Sequence, residues 1–163
     1  MNDMKILQHP HPVLRHIAEE VRHFDDDFLT LSETMQRLMH EGAGGVGIAA
    51  PQLGISKRVI VVDCSLGKHP CKNHGCLVMA NPVIVSQSGK ALGREGCLSV
   101  PDWVATVSRA KKITVQYQDD DGQSQCLQSV GFEARVIQHE VDHLNGVLFI
   151  DRVLSTHDLV RRM

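Results

Sequence analysis

The 163 residues are 42% hydrophobic and 22% charged, with a formal charge of −2, which is apolar content for one core and predicts a single catalytic domain over residues 1–163. So small a charge excludes a general electrostatic affinity for nucleic acid or for a membrane surface. No apolar run approaches the roughly 20 residues that cross a bilayer, and Met1 to Gln8 lack the charged-then-apolar pattern of a secretory leader.

In chain order, the prolines of His9-Pro10-His11-Pro12 resist helix before them, and Val13 to Glu20 can form a short helical turn. Asp25 to Asp27 supply an N-cap and first-turn negative charge, and Phe28, Leu31, Met35, Leu38 and Met39 then recur at helical spacing; this predicts a helix from Asp26 to Glu41. The run Gly42 to Gln52 is glycine-rich but follows no strand and lacks a Lys-Ser or Lys-Thr pair, so it fails as a phosphate loop. Its small residues instead fit a close approach of backbone to backbone or to substrate, with Gln52 as either a turn-capping amide or a site residue.

Arg58 to Asp63 reads as a strand, and Leu77 to Val85 as an edge strand or a bulge at Asn81-Pro82. Between them His69, Cys71, His74 and Cys76 carry the residue types of a structural zinc site, but one short loop would have to wrap all four around the ion, and a solvated loop is the simpler reading. Five scattered cysteines, an odd number, make no disulfide framework and fit a reducing cytoplasm. Ile113 to Gln118 and Ser124 to Gln128 flank an acidic glycine turn and predict a hairpin. Val147 to Ile150 reads as a further strand, and Leu154 to Met163 leaves room for a short helix.

The most informative stretch is Gln138 to Gly146. On a helix capped near Ser129 and ended by Asn145-Gly146, His139 and His143 project from one face, where two imidazoles can hold a metal ion. Glu140 lies about 100° around, beside the pair and free to act as a base. A single buried histidine is usually just hydrogen-bonded, but two beside a carboxylate in a mostly apolar helix would be costly without a function. With no alternating strand-helix units, the expected class is α+β: mostly antiparallel sheets around a central HExxH helix, with a second, longer helix near the N-terminus.

The stretches Gly45-Val46-Gly47-Ile48-Ala49-Ala50-Pro51-Gln52, Glu95-Gly96-Cys97-Leu98-Ser99 and Gln138 to Gly146 resemble, in order, the three signature motifs of peptide deformylases. The resemblance implies a hydrolase that removes the formyl group from the N-terminal methionine of nascent polypeptides. It adds Cys97 to His139 and His143 as ligands of one divalent metal per chain, commonly Fe(II), with Zn(II), Co(II) or Ni(II) also suited to the donor set. Without the resemblance, Cys97 reads as a small buried residue. The family match further implies Glu140 as proton carrier and the Gln52 amide and Leu98 N–H as donors to the developing oxyanion.

Val46 and Gly47 fit an extended peptide added as a strand, while Val46, Phe132 and Val136 are candidates for the methionine slot. Arg135 falls on a polar stripe with Gln138 and Asp142. Formylmethionyl peptides and nascent chains are the expected partners. Transient ribosome contact stays open, although many relatives use a longer C-terminal helix for it and this chain stops at Arg161-Arg162-Met163. The competing functions are a related metal amidase acting on another N-formyl or N-acyl amine, and a non-catalytic metal-binding homologue.

Overall fold

The computed structural model describes residues 5–41 and 45–162; Gly42 to Gly44 of the glycine-rich run and the first four residues of the N-terminal reading lie outside them. Eight strands and two α-helices follow in the order α1 (Asp26–Glu41), β1 (Gly47–Ala49), β2 (Val59–Asp63), β3 (Cys76–Ser88), β4 (Ala91–Cys97), β5 (Val100–Arg109), β6 (Lys112–Gln118), β7 (Ser124–Val130), α2 (Gly131–Leu144) and β8 (Leu159–Arg161). Every pairing among these strands is antiparallel, and an isolated parallel bridge joins Glu19 to Lys57. One sheet has the order β1-β2-β3-β6-β7 and the other β4-β5-β8. This is an α+β architecture of antiparallel sheets and two helices.

The all-apolar run of β2 is buried on both faces, as its lack of alternation requires. Val59 and Val61 pack with Phe28, Leu31, Met35 and Met39 of α1, while Ile60 and Val62 pack with Ala134, Val136, Ile137 and Val141 of α2. The two helices therefore cover opposite faces of the larger sheet. A third cluster, with Val100, Ala105 and Val107 of β5 against Leu14, Leu148 and Phe149, closes the smaller sheet. Burying side chains of this size contributes about 1.5–3 kcal/mol each, so α2 is held by its neighbours far more firmly than by its own helical propensity.

Several boundaries differ from the sequence reading. The Asn81-Pro82 interruption is a bulge, with a register shift between Ala80 and Val83 and Asn81 at φ 51°, but β3 is a central strand rather than an edge. It tolerates the proline because Asn81 bonds to both Val21 and Gln118 and so replaces the lost ladder contacts. The start of α2 falls where the sequence places it, next to Ser129: the N-cap is Val130, which has no side-chain cap bond, and the Ser129 hydroxyl donates to Glu133 at 2.7 Å. Val147 to Ile150 is no strand; Phe149–Arg152 form a 3-10 turn. The C-terminal stretch, which left room for a short helix at most, forms a turn at Thr156–Asp158 and β8, whose Leu159 to Arg161 pair with Ala105 to Trp103. The stretch Val13 to Glu20 yields only the 3-10 turn Pro12–Arg15. Among the described residues no helix is long and apolar enough to cross a membrane.

The C-terminal end of α2 is closed by other parts of the chain. The Leu144 carbonyl accepts from the Ala18 N–H at 2.8 Å and from Arg58 at 3.0 Å, so an end carbonyl that the helix cannot satisfy itself finds donors and a cation, and the Asn145 side-chain Oδ1 holds the same guanidinium at 2.9 Å. Gly146 then turns at φ 73°, and a Cβ there would lie 2.5 Å from the Arg15 carbonyl oxygen.

Gly131, which opens α2, also has positive φ at 63° but meets nothing within 4 Å of an added Cβ. Gly131→Ala should therefore cost only the left-handed strain, about 1–2 kcal/mol, whereas Gly146→Ala adds a backbone collision and should cost more. Urea unfolding of both variants checks the order; equal losses would contradict the close approach to Arg15.

Candidate metal centre

The β4–β5 hairpin delivers one side of the site. Gly93, Glu95 and Cys97 alternate onto the face that meets α2, as period-two geometry requires, and a register shift between Gly96 and Cys97 turns the chain through Leu98 and Ser99 into β5. The other side is α2, whose His139 and His143 stand one turn apart with ring centroids 5.3 Å from each other. Cys97 Sγ lies 3.3 Å from His143 Nε2, and one ligand atom from each of Cys97, His139 and His143 falls within 4.8 Å of the others.

Two features fit this trio to a metal ion. His139 Nδ1 faces the Glu95 carboxylate at 2.9 Å, which fixes the proton on Nδ1 and leaves Nε2 as a lone-pair donor. Glu140 Oε1 is buried with no hydrogen-bond partner among the described residues, an arrangement expected of an oxygen reserved for a reaction rather than for packing. One soft thiolate and two imidazoles form a three-ligand set that suits several divalent ions and leaves a coordination position open.

A buried charge network surrounds this trio. Glu95 accepts from Arg109 Nε and Nη2 at 2.9 and 2.8 Å, from Arg135 Nη1 at 2.7 Å and from His139. Arg109 continues to Asp142 at 2.6 Å, and Asp142 also holds Arg152. Burial alone would raise the Glu95 pKa, but the bonds from Arg109 and His139 outweigh it and hold the carboxyl well below the usual range.

Glu140 responds oppositely. Burial, opposed by the nearby His139, pushes its carboxyl up to about 7. His143 is lowered by burial and by the charge of its neighbours, which favours the neutral ring a metal needs. For His139, burial lowers the pKa but bonds to Cys97 and Glu95 outweigh it, so in this pocket a proton competes with a metal for the ring.

Gln52 approaches from the 3-10 turn Ala50–Leu53. Its carbonyl oxygen accepts the Ala49 N–H at 2.9 Å, which aims the amide nitrogen at Ser99 Oγ, 3.0 Å away, and at Cys97 Sγ, 3.6 Å away. Gly47 of β1 lets the strand pass directly beside α2, since a Cβ there would come within 2.7 Å of Glu140 Oε2 and 2.8 Å of Val136. Val46, Gly47, Leu98, Phe132 and Val136 line the same cleft of about 290 Å³ as Gln52, Cys97, His139 and Glu140.

All of the candidate residues except His143 thus border one cleft, and His143 is joined to it through Cys97. Phe132 is 44% exposed at its mouth. The supposed polar stripe Arg135, Gln138 and Asp142 faces inward, each residue less than a tenth exposed, because β4, β5 and Ala110 just beyond β5 supply partners to it. Glu95 was legible only as part of a motif; Arg109 and Arg152 carried no local sequence signal at all. The loop of His69, Cys71, His74 and Cys76 does not converge: no three of these side chains meet, among the described residues, at metal-ligand distance. His74 is instead bonded to Glu133 at 2.6 Å.

A family model described as "Polypeptide deformylase" matches residues 3–158. The peptide deformylase of Acidobacterium capsulatum is 42% identical over 158 residues, covering 96% of this chain and 91% of that one. A peptide deformylase from Synechococcus elongatus, solved in complex with actinonin, superposes with a TM-score of 0.87 at 38% identity, covering 97% of this chain and 82% of its own. The Met-Ala-Ser-bound class I type b peptide deformylase of Acinetobacter baumannii superposes at 0.84 with 40% identity, over 92% of this chain and 98% of that one.

Removing the charge at the centre of the network should be costly. Glu95→Gln removes the carboxylate that Arg135 pairs with and one of the two that Arg109 pairs with, Asp142 remaining at 2.6 Å, and should lose about 3–5 kcal/mol at pH 7. A depressed folded-state pKa stabilises fully above the unfolded value, near 4.3, and loses that contribution as pH falls through the folded value. In metal-free protein the gap between wild type and Glu95→Gln should hold from pH 7 to 5 and narrow below about 4.3. Denaturant unfolding across that range checks it, and a gap independent of pH would remove Glu95 from the acid response.

Proposed function

The chain belongs to the peptide deformylase family and removes the formyl group from the N-terminal formylmethionine of nascent polypeptides, and we propose that Cys97, His139 and His143 hold the divalent metal and Glu140 carries the proton. The observation that carries this reading is the buried Glu140 carboxylate, with an oxygen lacking any partner, set beside a converging thiol and two imidazoles. A bound ion would supply Lewis-acid polarisation of the formyl carbonyl and acidify water at neutral pH.

The remaining work falls to side chains of this protein. With a carboxyl pushed up to about 7, Glu140 is poised to take a proton from water and return it to the leaving amine near neutral pH. The Gln52 amide, aimed by its bond to Ala49, donates to the formyl oxygen as negative charge builds there, joined by the Leu98 N–H. Glu95 holds His139 in the tautomer that presents Nε2. Val46 and Gly47 offer a strand edge to the peptide backbone, and Phe132 and Val136 offer apolar surface to the methionine side chain. The Met-Ala-Ser ligand of the Acinetobacter baumannii relative supports product-like peptides in this cleft.

We assign Fe(II) as the native ion on the family resemblance, with Zn(II), Ni(II) and Co(II) as substitutes that the same donors would accept. We assign the whole chain to one catalytic domain in the cytoplasm, where nascent chains emerge. The match over residues 3–158 supports the single domain.

An anaerobic assay on formyl-Met-Ala-Ser, with metal analysis of the same sample, tests the reading. Glu140→Ala should keep its metal and lose about 10²–10⁴-fold in turnover; loss of the metal would make Glu140 structural. Gln52→Leu should lower kcat by about 10²–10³-fold with the metal retained, and an unchanged rate would take Gln52 out of the mechanism. Cys97→Ala should lose most of the bound metal, and full retention would remove Cys97 from the ligand set.

A further inference from the structure

The face of β4 that points away from α2 carries Arg94 and Gly96, and the last described residues lie over it. β8 pairs with β5 through Trp103 and Arg161, the Arg162 N–H donates to the Asp102 carbonyl at 2.7 Å, and the Arg162 guanidinium then crosses β5 to rest on Gly96. A Cβ at Gly96 would lie 2.5 Å from Arg162 Nη2, so the bare backbone of Gly96 is what the guanidinium rests against. Arg94 and Arg162 both border the cleft that contains Cys97 and Glu140. Neither side chain has a hydrogen bond or ion pair to another described residue, unlike Arg109 and Arg135, whose charges are spent on Glu95 and Asp142.

The acidic residues of the cleft offer these two guanidiniums no counter-charge. Glu95 is saturated by its own partners on the opposite face of the strand, and Glu140 is buried. The cleft that holds Cys97 and Glu140 is therefore bordered by two cationic side chains, within the same cleft as a peptide whose first residue is seated at Cys97. A planar guanidinium with free N–H groups is suited to carboxylates, which it can bind in bidentate fashion.

Building on the deformylase reading, we propose that Arg162 and Arg94 read the substrate beyond its methionine by binding a carboxylate, so that this enzyme favours formylmethionyl peptides acidic at the second or third residue. Exposed ion pairs are individually weak, so two of them amount to a preference of about three- to tenfold. Because the contact is equally present in the bound substrate and in the transition state, it belongs in KM and not in kcat. It should fade with salt, as exposed charges do.

The test compares formyl-Met-Ala-Asp-amide with formyl-Met-Ala-Asn-amide, and formyl-Met-Ala-Ala as free acid with its amide. The first pair reads a side-chain carboxylate and the second a chain-terminal one. Wild type should favour the Asp peptide by about three- to tenfold in kcat/KM, through KM. Arg162→Ala and Arg94→Ala should each shrink that ratio, and Arg162→Lys should keep most of it as a point charge. A ratio near one in wild type, a ratio that both alanine variants preserve, or a preference confined to the free-acid pair overturns the proposal. Calorimetric binding of the unformylated peptides Met-Ala-Asp-amide and Met-Ala-Asn-amide makes the same comparison without turnover. If no formyl peptide is hydrolysed, the deformylase reading fails, while the calorimetry still decides whether the arginines select carboxylates.

Discussion

One carboxylate, that of Glu95, fixes how the two halves of the site meet. It accepts from Arg109 on β5, from Arg135 and His139 on α2, and it lies two residues from Cys97 on β4. Moving either the hairpin or the helix would strand a charge in the protein interior, and the resulting penalty of several kcal/mol per ion far exceeds what a small side-chain shift recovers. The network gives little net stability over a well-packed apolar core. Its use is to make one relative placement of Cys97, His139 and His143 much better than any other.

The rest of the fold serves that placement by holding α2 from every side. The larger sheet covers one face with Ile60, Val62, Ile113 and Val115, β4, β5 and Ala110 receive the polar stripe, and Phe149 stacks on His139 at 5.9 Å between ring centroids. Gly47 and Gly93 are the positions where this crowding is tightest: a methyl group at either would strike Glu140 and Val136, or the Arg135 guanidinium. Interiors packed at this density transmit a misplaced atom to its neighbours instead of absorbing it.

What could be read from the sequence divides along the same physical line. The helix Asp26–Glu41, the β6–β7 hairpin and the histidine pair were legible because their signals are local: periodicity, turn chemistry and i, i+4 spacing. β5 was missed, and its Val100 to Arg109 run shows why: Asp102, Ser108 and Arg109 break the apolar alternation, and Arg109 is buried only because Glu95 and Asp142 await it from other elements. The same absence of local signal hid the inward turn of Arg135. Pairing of β8 with β5 depends on an edge that residues 100–109 create and that Leu159 to Arg161 cannot announce. The ligand role given to Cys97 came through resemblance alone, since nothing in its immediate neighbours marks a thiol for metal.

Two glutamates stand within one residue of His139 in sequence or in direct contact with it, and their surroundings drive them in opposite directions. Glu95 meets two arginines and an N–H of the histidine ring, and stays ionised across the working pH range. Glu140 meets burial with no direct donor on Oε1, and its carboxyl rises to about 7. Separation of this kind supports the proposed division of roles without reference to any motif, because a group that must exchange a proton near neutrality needs a pKa there and a group that must hold an ion pair needs one far below. Both conditions are met only if the arginines reach Glu95 and are kept from Glu140. β4 achieves this by turning Glu95 toward Arg109 and Arg135, while β1, through Gly47, seals the other side of Glu140 with backbone that carries no charge.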